Sequence, residues 1–160
     1  MTIATLAQAR ILESWQHYQE ELTRVIAPLT AEQMRVRPVP GQRSLGEIAE
    51  HIVRARALWL PGALGEGDAE LEAGLEPMTG WDEPDDPSRT AAEVLHGLDL
   101  TWRVISARLA RWAADGGRDT ISDEEVTQLR TIWGLLEHDL HHGGELSFVL
   151  GAYGLPAPEM

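Results

Sequence analysis

The chain contains no cysteine and no lysine. Lack of cysteine rules out a disulfide, a thiolate nucleophile and a sulfur-ligated zinc site, so any bound metal must take nitrogen and oxygen donors. Lack of lysine makes all 13 basic residues arginine, a pattern read first as the coding bias of a GC-rich genome. Positive charge is scarce: 26 acids against those 13 bases give a formal net charge of -13. Nucleic-acid binding needs a basic footprint, and the composition argues against one. No run of about 18 apolar residues occurs, so no membrane-spanning helix is expected. Met1-Thr2-Ile3-Ala4-Thr5 lacks the basic and apolar regions of a signal peptide, and a cytoplasmic protein is the expectation. Phe occurs once and Tyr twice, against six Trp; indole side chains are therefore expected to fill much of the core.

At 160 residues the chain is expected to be a single domain, 1–160, large enough for a real core. Strand signals are weak throughout, and helical periodicity is strong. Ile11, Trp15, Tyr18, Leu22, Val25 and Ile26 carry a first helix over Ile3 to Ala27, closed by Pro28. Thr30-Ala31-Glu32-Gln33, Ser44-Leu45-Gly46-Glu47 and Thr90-Ala91-Ala92-Glu93 have the capping-box pattern that opens a helix. The second opens a helix through Ile48, Ile52 and Ala55, expected to end at Pro61-Gly62. The third opens one through Val94, Leu98, Trp102 and Ile105, expected to stop at Gly116-Gly117. A last helix starts near Ser122 or Thr127 and runs to about Tyr153. The expected fold is all-α, a four-helix bundle with a long acidic connection between helices 2 and 3. That connection, about Gly62 to Arg89, carries nine acids and no base between Glu66 and Asp86. It reads as a solvated loop, with two helical turns near Asp68 to Leu75; connections of this length are usually functional or mobile.

Three of the six histidines fall in Glu137-His138-Asp139-Leu140-His141-His142-Gly143-Gly144-Glu145. His138 and His142 are four apart, so on a helix they leave one face a turn apart and can grip one metal ion. They share a stripe with Leu135 and Val149, which faces the core. A third donor must come from elsewhere, and His51, in the apolar stripe of Ile48, Ala55 and Leu58, is the candidate. Taken alone, His51 reads as a core histidine satisfied by a hydrogen bond. With the pair also on a core-facing stripe, joint metal binding is the better reading. His141 is rotated away from both and faces outward or supports the site from outside. Glu145 lies one turn beyond His142 and is open to three roles: hydrogen-bond acceptor, outer support or general base. Glu137, Asp139 and Glu47 are candidates to orient imidazoles through their second nitrogen. Arg54 and Arg56, close to His51, are candidate cations for an anionic cofactor.

Leu45-Gly46-Glu47-Ile48-Ala49-Glu50-His51-Ile52 and Leu136-Glu137-His138-Asp139-Leu140-His141-His142-Gly143-Gly144-Glu145-Leu146 resemble the DinB/YfiT-like family of metal-binding four-helix bundles. The resemblance covers most of the chain. It implies a divalent metal, zinc or nickel, on His51, His138 and His142, and a homodimer. Many relatives have Arg-Gly-Gln after the last ligand, where this chain has Gly143-Gly144-Glu145. The resemblance further implies a metal-dependent enzyme that joins a low-molecular-weight bacterial thiol, of the mycothiol or bacillithiol type, to a small electrophilic substrate. In that scheme Glu145 or His141 shuttles a proton. A metal-assisted hydrolase and a non-catalytic, stress-associated metal-binding bundle are the alternatives.

Overall fold

The computed structural model describes residues 3–64, 69–82, 88–115 and 123–159. Among them are six helices and no strand: α1 (Ile3–Ile26), α2 (Ala31–Met34), α3 (Leu45–Leu64), α4 (Ala69–Thr79), α5 (Ala91–Asp115) and α6 (Asp123–Ala152). The four long helices correspond to those read from the periodicity. All three capping boxes form. The hydroxyls of Thr30, Ser44 and Thr90 accept the backbone N–H three residues on, and the side chains of Gln33, Glu47 and Glu93 accept the N–H of the capping residue in return. α6 closes on Gly154, whose φ of 67° allows the Leu155 N–H to reach the Leu150 carbonyl at 2.9 Å. This is the usual left-handed glycine stop.

Two expected helix ends need comment. Pro61-Gly62 does not end α3, which continues to Leu64; proline loses one N–H bond, but its fixed φ is helical, so the last turn of a packed helix can pass through it. Of the two starts offered for the last helix, the earlier is observed: Thr127 lies inside α6 and donates its hydroxyl to the Asp123 carbonyl at 3.0 Å. Ser122 and the Gly116-Gly117 stop lie outside the described residues.

The connection between helices 2 and 3 is long because of how those helices run. α3 and α5 are parallel: Glu50 accepts the backbone N–H of Arg89 at 2.8 Å just before α5 begins, and further along Val53 packs onto Gly97. Parallel neighbours cannot be joined by a tight turn and need a crossover. The acidic segment makes that crossover, and α4, longer than the two turns expected, packs on α3 and α5 within it. α6 runs antiparallel to α3, with Trp59 beside Gly134 at one end and Ile48 beside Val149 at the other. Among the described residues this is the most extensive helix pairing, and it carries His51, His138, His141 and His142.

The core is more aliphatic than the composition suggests. Leu22, Ile26, Leu45, Ile52, Leu60, Leu98, Ile105, Leu135 and Leu146 are fully buried. Of the indoles, Trp15 and Trp81 are buried, whereas Trp59 and Trp133 are exposed. Where α1, α3 and α6 meet, the core holds an ion pair. Arg56 and Asp139 are both 0% exposed. The Arg56 guanidinium donates to both Asp139 oxygens, at 2.7 to 3.2 Å, and to Gln19 Oε1 at 2.8 Å. Trp15 Nε1 adds a bond to Asp139 Oδ2 at 2.9 Å, so the buried charges are compensated on several sides. No described helix is long and apolar enough to cross a membrane.

Candidate metal centre

His51 sits on α3, and His138 and His142 sit one turn apart on the facing side of α6. The antiparallel pairing brings the three rings together. Ring centroids are 5.0 Å apart for His51 and His138, 4.5 Å for His51 and His142, and 4.4 Å for His138 and His142. One nitrogen from each ring lies within 4.8 Å of the other two. The Nε2 atoms of His51 and His138 are 3.2 Å apart. Two nitrogens each about 2.0–2.1 Å from a tetrahedral ion lie roughly 3.3 Å apart, so this pair is already spaced as ligands are.

The outward nitrogens of two rings are held by carboxylates. His51 Nδ1 is 2.7 Å from Asp82 Oδ2, and His142 Nδ1 is 2.8 Å from Glu145 Oε2. A carboxylate on Nδ1 keeps the proton there and turns the Nε2 lone pair inward, the arrangement that supports metal-bound imidazole. His138 differs: its Nδ1 is buried without a hydrogen-bond partner among the described residues, and its ring packs near Trp59, 5.7 Å between centroids. Burial depresses the pKa of His51, with Asp82 opposing the shift. Burial and the neighbouring imidazoles His142 and His51 push His138 down to about 4. Both rings are therefore neutral near pH 7, and neutral imidazole is the form that ligates.

The remaining expectations divide. His141 faces solvent, 67% exposed at the side chain, with Nε2 3.4 Å from Glu145 Oε1. Glu145 thus turns one oxygen to each of two histidines; its pKa is lowered by those contacts against an opposing burial effect. Asp139 orients no imidazole. It leaves α6 about 100° around the helix from His138 and binds Arg56 in the core, because adjacent helical residues diverge by that angle. Arg56 is sealed inside the molecule by the same bond and cannot meet a cofactor. Glu137 accepts from Trp133 Nε1 at 2.8 Å. Glu47 serves the α3 cap and Arg37, so neither touches the cluster. The apolar stripe of α3 also ends earlier than its period suggests, since Leu58 is exposed.

Asp82 was not anticipated from the sequence. It lies just beyond α4 with a φ of 62°, a conformation aspartate tolerates better than most residues. The signal that could have found it is its neighbour Trp81, an indole in an otherwise acidic stretch. Trp81 is buried, lies against Gly97 and carries the Arg89 guanidinium over its face, 5.1 Å from the ring centroid. The anchored indole brings Asp82 to His51. Arg43 was also missed. It precedes the α3 cap and sets Nη2 3.4 Å from Asp82 and 3.3 Å from His51 Nδ1.

Comparison with known proteins agrees with this architecture. Residues 14–146 match the family model described as the DinB superfamily. Among solved structures, the chain is similar to a DinB-like protein from Bacillus cereus, 24% identical, with 93% of this chain and 94% of that chain covered and a TM-score of 0.63. No curated protein matches the sequence.

Proposed function

The chain belongs to the DinB superfamily, and from that premise we propose that it is a divalent-metal-dependent enzyme centred on Nε2 of His51, His138 and His142. The observation that carries this reading is the convergence of three ring nitrogens from two helices, two of them with a carboxylate on the opposite nitrogen. A bound cation, with zinc or nickel suited to imidazole donors, would supply Lewis acidity and lower the pKa of a coordinated water or thiol. Three protein ligands leave a position for such a group. Asp82 holds the His51 ring in place. Glu145, between His142 and the solvent-exposed His141, is placed to pass a proton between the site and solvent.

The reaction we propose is transfer of a low-molecular-weight thiol of the mycothiol or bacillithiol type to a small electrophile. The chain has no cysteine, so a sulfur nucleophile must arrive with a cofactor. The burial of Arg56 removes one cation expected to meet a thiol cofactor, and Arg43, beside His51, takes its place. That loss is what keeps a non-catalytic metal-binding role as the second reading. A cytoplasmic homodimer belongs to the same proposal. The test is to supply mycothiol or bacillithiol and chlorodinitrobenzene to metal-loaded protein and to follow the conjugate by mass spectrometry. Conjugation that stops on chelation and in His138→Ala is expected. A rate equal to the uncatalysed background would contradict the enzymatic reading and favour the second.

A further inference from the structure

A groove of about 480 Å³ opens beside the histidine cluster, lined by Val39, Gln42 and Arg43 from the loop before α3, Ile48 on α3, and Glu145 and Phe148 on α6, among others. Its lining is mostly apolar. Phe148, the one phenylalanine of the chain, is 68% exposed, and Val39 is 49% exposed. Single exposed apolar residues are ordinary; two lining one concavity next to a ligand cluster are the composition of a small-molecule site. The loop wall is braced before any ligand arrives. Tyr153 donates its hydroxyl to the Arg37 carbonyl at 2.7 Å. The Arg37 guanidinium bonds Glu47 and, at 2.6 Å, the Gln42 carbonyl. The Gln42 N–H closes a turn on the Val39 carbonyl at 3.1 Å.

The polar groups of the groove are unequal. Glu145, the acidic side chain among them, turns its oxygens to His142 and His141. Arg43 has five donors, and among the described residues only Nη2 is engaged, at the long distance of 3.4 Å to Asp82. In a chain of net charge -13, a guanidinium at the mouth of an apolar groove is a selective feature. We propose that the groove binds an amphipathic organic anion, with its carboxylate on Arg43 and a short aliphatic or aromatic body between Val39 and Phe148. This inference deepens the proposed function by naming the substrate class, and it rests on that reading only for its catalytic meaning. Binding itself requires no metal.

The probe is 4-phenylbutyrate, titrated by calorimetry into metal-free and zinc-loaded full-length protein, with 4-phenylbutanol as its neutral partner. Binding to metal-free protein is expected, weakened about tenfold or more in Arg43→Gln and in Phe148→Ser, and similarly weak for the alcohol, since a charge-assisted bond is lost in each polar case. Phe148 is exposed, so its replacement leaves the fold intact, and circular dichroism checks this. Binding that needs zinc and ignores Phe148→Ser would place the carboxylate on the metal and overturn the groove while leaving the metal centre standing. Equal binding of the alcohol would overturn anion recognition. Arg43- and Phe148-dependent binding in a protein that takes up no zinc would uphold the groove and sink the metal reading.

Discussion

At His51 the deciding contact is made by a residue 31 positions away, Asp82. A histidine facing a cluster of imidazoles has two ring orientations and two tautomers, and the carboxylate on Nδ1 selects one of each. Replacing Asp82 with Asn keeps the shape and removes the charge. The expected result is metal affinity lowered roughly 10- to 100-fold with little change in unfolding temperature; competition with a chromogenic chelator measures it, and unchanged affinity would mean Asp82 has no hold on the site. His138 supplies a second residue-scale prediction. Its pKa in the folded, metal-free protein is pushed from 6.5 to about 4, and that of His51 is also lowered. Above pH 6.5 both states leave these rings neutral and no stability is lost. As pH falls below 6.5 the unfolded chain takes up protons that the folded chain refuses, so stability falls toward pH 4. Between about pH 6.5 and 5, above the ordinary carboxylate value of 4.5, these imidazoles dominate the slope. Urea unfolding across that window should show a shallower decline in His138→Leu than in wild type; equal slopes would refute the assignment. The three clustered histidines were legible because spacing and stripe position are local properties of a helix. Asp82 and Arg43 were not, because they reach His51 through the crossover and the loop before α3, whose paths no periodicity encodes.

On α6 two adjacent glycines do different work. A Cβ on Gly143 would lie 2.7 Å from Tyr18 Cε2 and 2.8 Å from Cζ, whereas one on Gly144 would meet nothing within 4 Å. Gly143 lets α1 press against α6, where the Tyr18 hydroxyl donates to the Asp139 carbonyl. That contact and the Arg56–Asp139 pair fix the rotation of α6, and with it the direction in which His138 and His142 point. Gly143→Ala should therefore cost about 1–3 kcal/mol through overpacking. Gly144→Ala should stabilise by up to about 1 kcal/mol through helix propensity. Chemical denaturation of the two variants checks this, and effects of the same sign would show the packing account to be wrong. Two glycines inside a helix point to close packing or close ligand approach, and nothing local in the sequence tells the two positions apart. Asp139 was misjudged for a related reason: its neighbours suggested service to the imidazoles, while its helical angle, about 100° from His138, turns it to Arg56 in the core. The capping boxes, by contrast, were fully legible, since each is closed within four residues.

The whole molecule brings parallel α3 and α5, with a crossover between them, against an antiparallel α6. The helical class and the four long helices followed from periodicity, whereas α2 and α4 add to the four expected, and the acidic connection was visible in composition. Its purpose was not visible, because the relative direction of two helices is a tertiary property. That direction makes the crossover necessary, and the crossover delivers Asp82 to the site. The histidines thus meet only in the assembled fold, with α3, α6 and the end of the crossover each contributing a part. The most direct test is the metal content of protein purified without an affinity tag, wild type beside His138→Ala, by elemental mass spectrometry, with circular dichroism on both. The account predicts one equivalent of a divalent metal in the wild type and its loss in the variant with helicity retained. A folded wild type that takes up no divalent metal, even after incubation with zinc or nickel, would contradict it and return the three histidines to the core.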